Sequence, residues 1–308
     1  SARNEGGKKS KIYSWNGEPF LDIYQLTGGV VSPIQGDVNS VLHDGPVTIS
    51  KDGQTMFFNR NNYINNKRGK KDDEKTINLK IYKATLNQGK WENVVELPFN
   101  NNDYSVGHPS LSPDGKTLYF VSDMPGGSGG TDIYKVDILE NNTYGTPVNL
   151  GDKINTSLDE SFPFVNNENV IYFSSNGHLG YGLLDIFKAN LNETEAEVIN
   201  LGAPVNSNMD DFAYFQSSEV PTGYFSSNRA AGNDDIFGFN LLKPLVLKGQ
   251  VIDAVNKKPI AEATVRLMNS ENEQIAFLET DEDGNYETIV NRNQKYPIEA
   301  KHIEYIEK

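Results

Sequence analysis

Gly107-His108-Pro109-Ser110-Leu111-Ser112-Pro113-Asp114-Gly115-Lys116-Thr117-Leu118-Tyr119-Phe120-Val121-Ser122-Asp123 decides the fold, because the chain repeats its pattern. An earlier copy reads Gly45-Pro46-Val47-Thr48-Ile49-Ser50-Lys51-Asp52-Gly53-Gln54-Thr55-Met56-Phe57-Phe58-Asn59-Arg60. A third runs from Ser161-Phe162-Pro163-Phe164 to Ile171-Tyr172-Phe173-Ser174-Ser175-Asn176, and a fourth from Asp211-Phe212-Ala213-Tyr214 to Tyr224-Phe225-Ser226-Ser227-Asn228-Arg229. Each copy ends in a short strand, and Ile81, Ile133, Ile186 and Ile236 within those strands lie 52, 53 and 50 residues apart. A steady period of this size, filled with short strands and Gly/Asp turns, marks a propeller or repeat array.

Each copy reads as four antiparallel strands, A to D, with apolar and polar residues alternating as half-buried sheet requires. Pro113-Asp114-Gly115-Lys116 supplies the tight A–B turn. Strand B is Thr117–Ser122, strand C is Asp132–Val136, and Tyr144–Leu150 or Trp91–Leu97 is strand D. Asp22-Ile23-Tyr24 repeats the strand C motif, and Ser1-Ala2-Arg3 matches Ser227-Asn228-Arg229 as the end of a strand B. The first blade is therefore expected to be incomplete and the sequence to be a piece of a longer protein. Six blades are expected, with five or seven as alternatives. The period stops after Phe239; Leu241-Leu242-Lys243-Pro244 reads as a linker, and alternating short strands follow. The predicted organisation is all-β: a propeller over 1–240 and a small β-sandwich over 241–308.

Bulk numbers exclude several functions. Lys and Arg total 28 against 42 Asp and Glu, a net charge of −14, which disfavours a nucleic-acid backbone as partner. There are no cysteines, so disulfides, thiolate catalysis and cysteine-based zinc sites are absent from this sequence. No apolar run approaches the ~18–20 residues of a membrane-spanning helix.

The Ser-Pro-Asp-Gly-Lys-x-Leu-Tyr-Phe-x-Ser … Asp-Ile-Tyr pattern resembles the PD40 (TolB-type, WD40-like) propeller repeat. Gly249-Gln250-Val251-Ile252-Asp253, Pro259-Ile260, Ala263-Thr264-Val265 and Thr280-Asp281-Glu282-Asp283-Gly284 resemble a carboxypeptidase regulatory-like domain. In that order the two parts resemble the central portion of OmpA-family envelope proteins of Bacteroidota, including the PorE-type component of the type IX secretion system. Trp15 before Glu18-Pro19-Phe20-Leu21-Asp22, Val38-Asn39-Ser40 before Gly45-Pro46, and Tyr104-Ser105-Val106-Gly107-His108-Pro109 agree with it. The resemblance implies a non-catalytic periplasmic scaffold, associated with the outer membrane, that binds envelope proteins such as outer-membrane secretion components. Peptidoglycan would be reached only through a domain outside this sequence. The alternatives are a glycan- or small-ligand-binding propeller, or the regulatory propeller of a hydrolase.

Residue by residue, no catalytic constellation emerges. Gly126-Gly127-Ser128-Gly129-Gly130 has the letters of a nucleophile elbow, but an elbow needs a helix after the serine and a strand is expected here. His43, His108, His178 and His302 are scattered, with His43 and His108 just before strand A and near the central channel. No carboxylate accompanies them at a metal-ligand spacing. Asp22, Asp132, Asp185 and Asp235 recur at the start of strand C, so they are expected to accept turn amides. Asp281-Glu282-Asp283-Gly284-Asn285 departs from a calcium loop and reads as a hairpin turn. Asn65 to Lys75 reads as a solvated insertion between strands B and C. The chain is thus expected not to be an enzyme and to use no cofactor or metal. Short, repetitive A–B turns occupy one face of a propeller and variable B–C and D–A loops the other, where binding tends to reside. The candidate partner-binding residues on that face are Arg60, Tyr104, His108, Asp123, Asp159, Glu160, Asp210, Asp211 and Arg229.

Overall fold

A computed structural model describes residues 20–65, 67–193, 196–230, 233–242, 245–292, 294–303 and 305. The expected strand end at Ser1–Arg3, Trp15, Glu18, Pro19, Asn66 of the insertion and Lys243-Pro244 of the linker lie outside them. The chain is all-β, a propeller followed by a small sandwich, and it divides into compact units 1–240 and 241–308.

The first unit opens with a two-stranded hairpin, Tyr24–Thr27 with Val30–Pro33. Blade I pairs Asp44–Ile49, Thr55–Asn61, Leu79–Asn87 and Lys90–Glu96 in sequence order. Blade II does so with Val106–Leu111, Thr117–Ser122, Asp132–Asp137 and Val148–Asn149. Blade III uses Glu160–Val165, Val170–Ser175, Asp185–Asn190 and Ile199–Asn200. Blade IV has three described strands, Asp211–Gln216, Thr222–Ser227 and Asp235–Asn240. The insertion forms its own small hairpin, Tyr63–Ile64 with Lys67–Arg68. Among the described residues the one helical segment is the short 3₁₀ turn Glu140–Asn142.

The hydrophobic core is built between blades rather than within one. Ile23 of the hairpin packs with Met56, Phe58 and Tyr82 of blade I. Ile81 of blade I packs with Val106, Leu118 and Phe120 of blade II, and Ile133 with Val165, Ile171 and Phe173 of blade III. Ile186 of blade III in turn meets Tyr214 and Phe225 of blade IV. The fifty-residue period therefore spaces one isoleucine per blade, and those of blades I to III each face the next blade. Ile81, Ile133 and Ile186 are fully buried, whereas Ile236 of blade IV is 78% exposed.

Strand A carries a bulge in every blade. Two residues there oppose one on strand B: Gly45-Pro46, His108-Pro109, Phe162-Pro163 and Ala213-Tyr214. The first residue of each pair has positive φ, 96° at Gly45, 48° at His108, 50° at Phe162 and 55° at Ala213. Outside glycine such a backbone costs about 1–2 kcal/mol, so the bulge is held by its surroundings. In blades I to III, proline at the second position removes an amide that a bulged strand would leave unpaired; blade IV has Tyr214 there.

The second unit has two sheets, Leu245–Gln250 with Asn285–Val290, and Gln274–Glu279, Thr264–Met268 and Ile298–Lys301. Ala263, Val265 and Leu267 fill its centre. The Asp281–Asn285 turn is not a hairpin turn: its flanking strands belong to different sheets. The turn chemistry is the expected one, with Asp281 Oδ1 accepting the Asp283 and Asn285 amides at 3.0 and 2.7 Å. Thr280 redirects the chain, its Oγ1 accepting from Ala263 N and donating to Ile260 O, both at 2.8 Å.

Equivalent sequence positions thus have unequal energetic weight. Ile133→Ala is expected to cost about 2–5 kcal/mol of unfolding free energy, and Ile236→Ala less than about 0.5 kcal/mol. Chemical denaturation of the two variants measures the difference directly.

Candidate partner-binding face and central cavity

The B–C and D–A loops are fixed by a side-chain network that the blades repeat. An asparagine early in the loop before strand A closes on the isoleucine of the preceding strand C, accepting its N–H and donating to its C=O. Asn39 does this at Ile23 (2.7 and 2.9 Å) and Asn100 at Ile81 (2.9 and 2.8 Å). Asn155 does it at Ile133 (2.8 and 3.0 Å) and Asn206 at Ile186 (both 2.8 Å). The next residue then donates its amide to an acid at the start of strand A: Ser40 to Asp44, Thr156 to Glu160 and Ser207 to Asp211. The amide of that acid completes the stitch by donating to the preceding blade, at Leu21 O, Thr131 O and Leu184 O.

Most of the nine candidate residues belong to this network. Asp44, Glu160 and Asp211 are buried, and so is Arg60, whose guanidinium bonds Asp44 Oδ1 and lies over the Phe58 and Tyr82 rings. Burial outweighs the Arg60 charge and lifts the Asp44 carboxyl above the usual carboxylate range. Glu160 Oε1 accepts from Thr156 Oγ1 at 2.8 Å and Ser175 Oγ at 2.6 Å. Arg229 bonds Asp211 and donates to Pro204 O at 2.8 Å and to Val205 O. Asp159 accepts from Thr131 N (2.9 Å), Asp210 from Leu184 N (3.1 Å) and Asp123 from Ser105 N (2.7 Å). Tyr104 packs against the core between blades I and II. Arg60, Glu160 and Asp211 thus lie in the interior, and Asp123, Asp159 and Asp210 join loops while remaining partly or fully accessible. The strand C aspartates have the same work: Asp132 accepts from Ser128 N and Asn149 Nδ2, and Asp185 from Tyr181 N and Gly182 N.

This face also carries exposed apolar side chains that were missed in the sequence. The B–C loop of blade III carries Leu179, Tyr181 and Leu183 at 95, 63 and 70% exposure. Its backbone is fixed: a Cβ on Gly182 would lie 2.2 Å from Met209 O, and the Tyr181 amide is bonded to Asp185. The available signal was that Leu179, Tyr181 and Leu183 stand where the otherwise equivalent loop of blade II has Gly126, Ser128 and Gly130, so the loop repeats while its apolar side chains do not. The Gly126–Gly130 loop packs against its neighbour too, with the Gly130 amide 2.8 Å from Leu158 O, and a strand follows it.

His108 lies elsewhere. The A strands of all four blades line a cavity of about 810 Å3, from His108 and Phe162 at the bulges to Lys51, Glu168 and Glu219 by the A–B turns. The His108 ring stacks on Phe162 with centroids 4.0 Å apart, and its Nδ1 accepts the Phe162 amide at 3.3 Å, which places the neutral ring's proton on Nε2. Burial pushes its pKa down to about 4. His43 accepts from Leu21 N, His178 meets Ile154 O, and His302 packs on Tyr305, so the four histidines do not converge.

No family model matches the chain, and no curated protein matches it. Solved structures do. TolB from Acinetobacter baumannii is 15% identical with a TM-score of 0.44, covering 87% of this chain and 59% of its own. Prolyl oligopeptidase B from Galerina marginata is 14% identical with a TM-score of 0.41, over 82% of this chain and 34% of its own. An α-L-arabinofuranosidase from Lactobacillus brevis is 12% identical with a TM-score of 0.47, over 68% of this chain and 78% of its own. The chain thus spans about three-fifths of the TolB chain and a third of the peptidase. The expectation that this chain is no enzyme is corrected by these matches: hydrolases stand among the proteins it resembles, and the exclusion is withdrawn.

Two outcomes test the geometry. Asn155→Ala leaves the Ile133 N–H and C=O without their carboxamide and is expected to cost about 1–3 kcal/mol in chemical denaturation. His108 has a folded pKa near 4 against an ordinary value of 6.5, so the unfolded state binds more protons between those limits. Stability from the neutral ring is complete above pH 6.5 and lost as pH falls towards 4. The Tm of His108→Gln is expected to fall less over that window, by differential scanning calorimetry.

Proposed function

We propose that this chain is a protein-binding scaffold of the bacterial cell envelope, periplasmic and associated with the outer membrane, which serves type IX secretion by holding envelope partners on its B–C and D–A loop face. The second unit is proposed to be the carboxypeptidase regulatory-like domain that the sequence resembles, and any hold on peptidoglycan to reside outside this sequence. One observation carries the reading: Leu179, Tyr181 and Leu183 stand exposed on a loop whose backbone is fixed by Asp185 and by contact with Met209. A rigid platform offering apolar anchors lowers the ordering cost of association, and such clusters mark protein contacts more than scattered surface leucines do. Asp123, Asp159 and Asp210 add accessible carboxylates to the loop connections of the same face, which suits a basic partner.

The cavity favours a second reading, a small ligand or glycan held among His108, Phe162 and Phe164. Thermal shift with glycans and peptidoglycan fragments tests it, since a ligand of the native state raises Tm.

The scaffold reading is tested by crosslinking pull-down of the tagged full-length protein from native envelope membranes. Outer-membrane secretion components are expected in the eluate, crosslinked to the blade III loop. Leu179→Asp with Leu183→Asp is expected to abolish their recovery while changing stability by less than about 0.5 kcal/mol per exposed site. Unchanged recovery from the double variant removes this face as the binding surface.

A further inference from the structure

The cavity wall is apolar along its middle because its polar side chains are committed to the fold. Thr48 Oγ1 accepts the Leu111 amide at 3.1 Å and Ser110 Oγ the Val165 amide at 3.3 Å, each joining one A strand to the next. Ser112 Oγ donates to Asp114 at 2.6 Å, and Asn166 Oδ1 accepts the Glu168 and Val170 amides at 3.1 and 2.9 Å. Gln216 Oε1 accepts from the Tyr214 hydroxyl at 3.3 Å and Ser217 Oγ from the Glu219 amide at 3.2 Å. Between these bonds the cavity is lined by Val47, Ile49 and Phe215, at 37, 46 and 49% exposure. Phe164 lines it too, set edge-on to Phe215 with ring centroids 5.3 Å apart.

The two ends of the cavity differ. At the bulges His108 lines it, with Nδ1 taken by the Phe162 amide and its ring stacked on Phe162. At the A–B turns stand Lys51, Glu168 and Glu219, all exposed. Among the described residues neither glutamate carboxylate accepts a hydrogen bond or joins an ion pair. The aspartates of the neighbouring turns are engaged, Asp52 with Ser50 and Asp114 with Ser112. Two carboxylates against one ammonium leave this end negative. The apolar wall beside it follows strand A from Phe162 to Asn166, roughly 13 Å at ~3.3 Å per residue.

We propose that the cavity binds an apolar amine, whose hydrophobic body lies along Val47, Ile49, Phe164 and Phe215 and whose protonated amino group is held by Glu168 and Glu219. The inference rests on the small-ligand reading of the cavity and names its ligand class. A volume of about 810 Å3 suits a drug-sized molecule, and such sites pair an apolar lining with a few placed polar groups. A glycan is the poorer fit. Each hydroxyl it buries needs a partner, and the hydroxyls and amides of this wall already serve backbone amides and one another. A carboxylate-bearing ligand meets the two glutamates with only Lys51 to offset them, and like charges reject it.

The test titrates the whole chain with biphenyl-4-methylamine, biphenyl-4-methanol, biphenyl-4-carboxylate and chitotetraose by isothermal titration calorimetry. The amine is expected to bind saturably, at least about tenfold more tightly than the alcohol and more tightly still than the carboxylate. That preference is expected to shrink as salt is raised. Glu168→Gln with Glu219→Gln is expected to bring the amine and the alcohol to equal affinity, and Phe215→Ala to weaken all three biphenyls about tenfold. These side chains are exposed, so both variants are expected to keep a Tm near that of the parent. Equal affinity of amine and carboxylate for the parent chain overturns the proposal. So does amine binding that both variants leave unchanged, which puts it at another site. Binding of chitotetraose without the amine overturns it while the small-ligand reading of the cavity stands, and no binding by any of the four removes both.

Discussion

A single carboxamide closing on a single isoleucine sets the geometry of each blade junction. A strand's outward-facing N–H and C=O must be satisfied wherever they are shielded from water. Strand D is only two residues long in blades II and III, too short to reach the isoleucine amide. Asparagine carries a donor and an acceptor on one planar group and so replaces the missing stretch of strand. Because Asn155 and Asn206 perform this substitution, strand D can end early and the chain can turn over the blade into the next one. The loop before strand A is thereby placed, and the Ser/Thr-to-acid contacts one and five residues on follow from that placement.

The bulge at the start of strand A is the counterpart of this clamp. An extra residue in the strand turns the chain from the loop face into the cavity wall, at a backbone cost that His108, Phe162 and Ala213 bear without glycine's freedom. The cost is supportable because both flanks are held. The residue before the strand donates to the side chain that follows strand B, as in Asp159 to Asn176 and Asp210 to Asn228. At the bulges, the rings of His108, Phe162 and Phe212 pack in series at 4.0 and 5.1 Å.

Much of the fold was legible because it recurs. The Pro-Asp-Gly-Lys turn, the strand B aromatics and the spaced isoleucines each have a local cause that repetition multiplies. The site was less legible for the same reason. Charged residues at repeated offsets, such as Glu160 and Asp211, attract notice as candidates for recognition. Repetition instead marks them as joints, since a partner's contacts need not obey a fifty-residue period while a blade's must. Val38-Asn39-Ser40 carried the clamp in plain letters, but the target of an asparagine side chain is a contact between blades that no single strand pattern encodes. Leu179, Tyr181 and Leu183 lie on a loop whose counterpart in blade II carries Gly126, Ser128 and Gly130, and apolar side chains on such a loop become informative only once their exposure and the pinned backbone are known.

Sharing of the core between neighbours also determines how stability is distributed. Ile81 is buried by blade II, Ile133 by blade III and Ile186 by blade IV, so each of blades I to III depends on the next for part of its apolar cover. Arrays built this way behave as nearest-neighbour chains, in which interior units carry two interfaces and a unit with one uncovered face carries a single interface. In blade IV, Ile236 and Tyr224 are exposed and stand on the side of the sheet away from blade III. Rigidity at the loop face therefore has one origin, the carboxamide clamp repeated at Asn39, Asn100, Asn155 and Asn206.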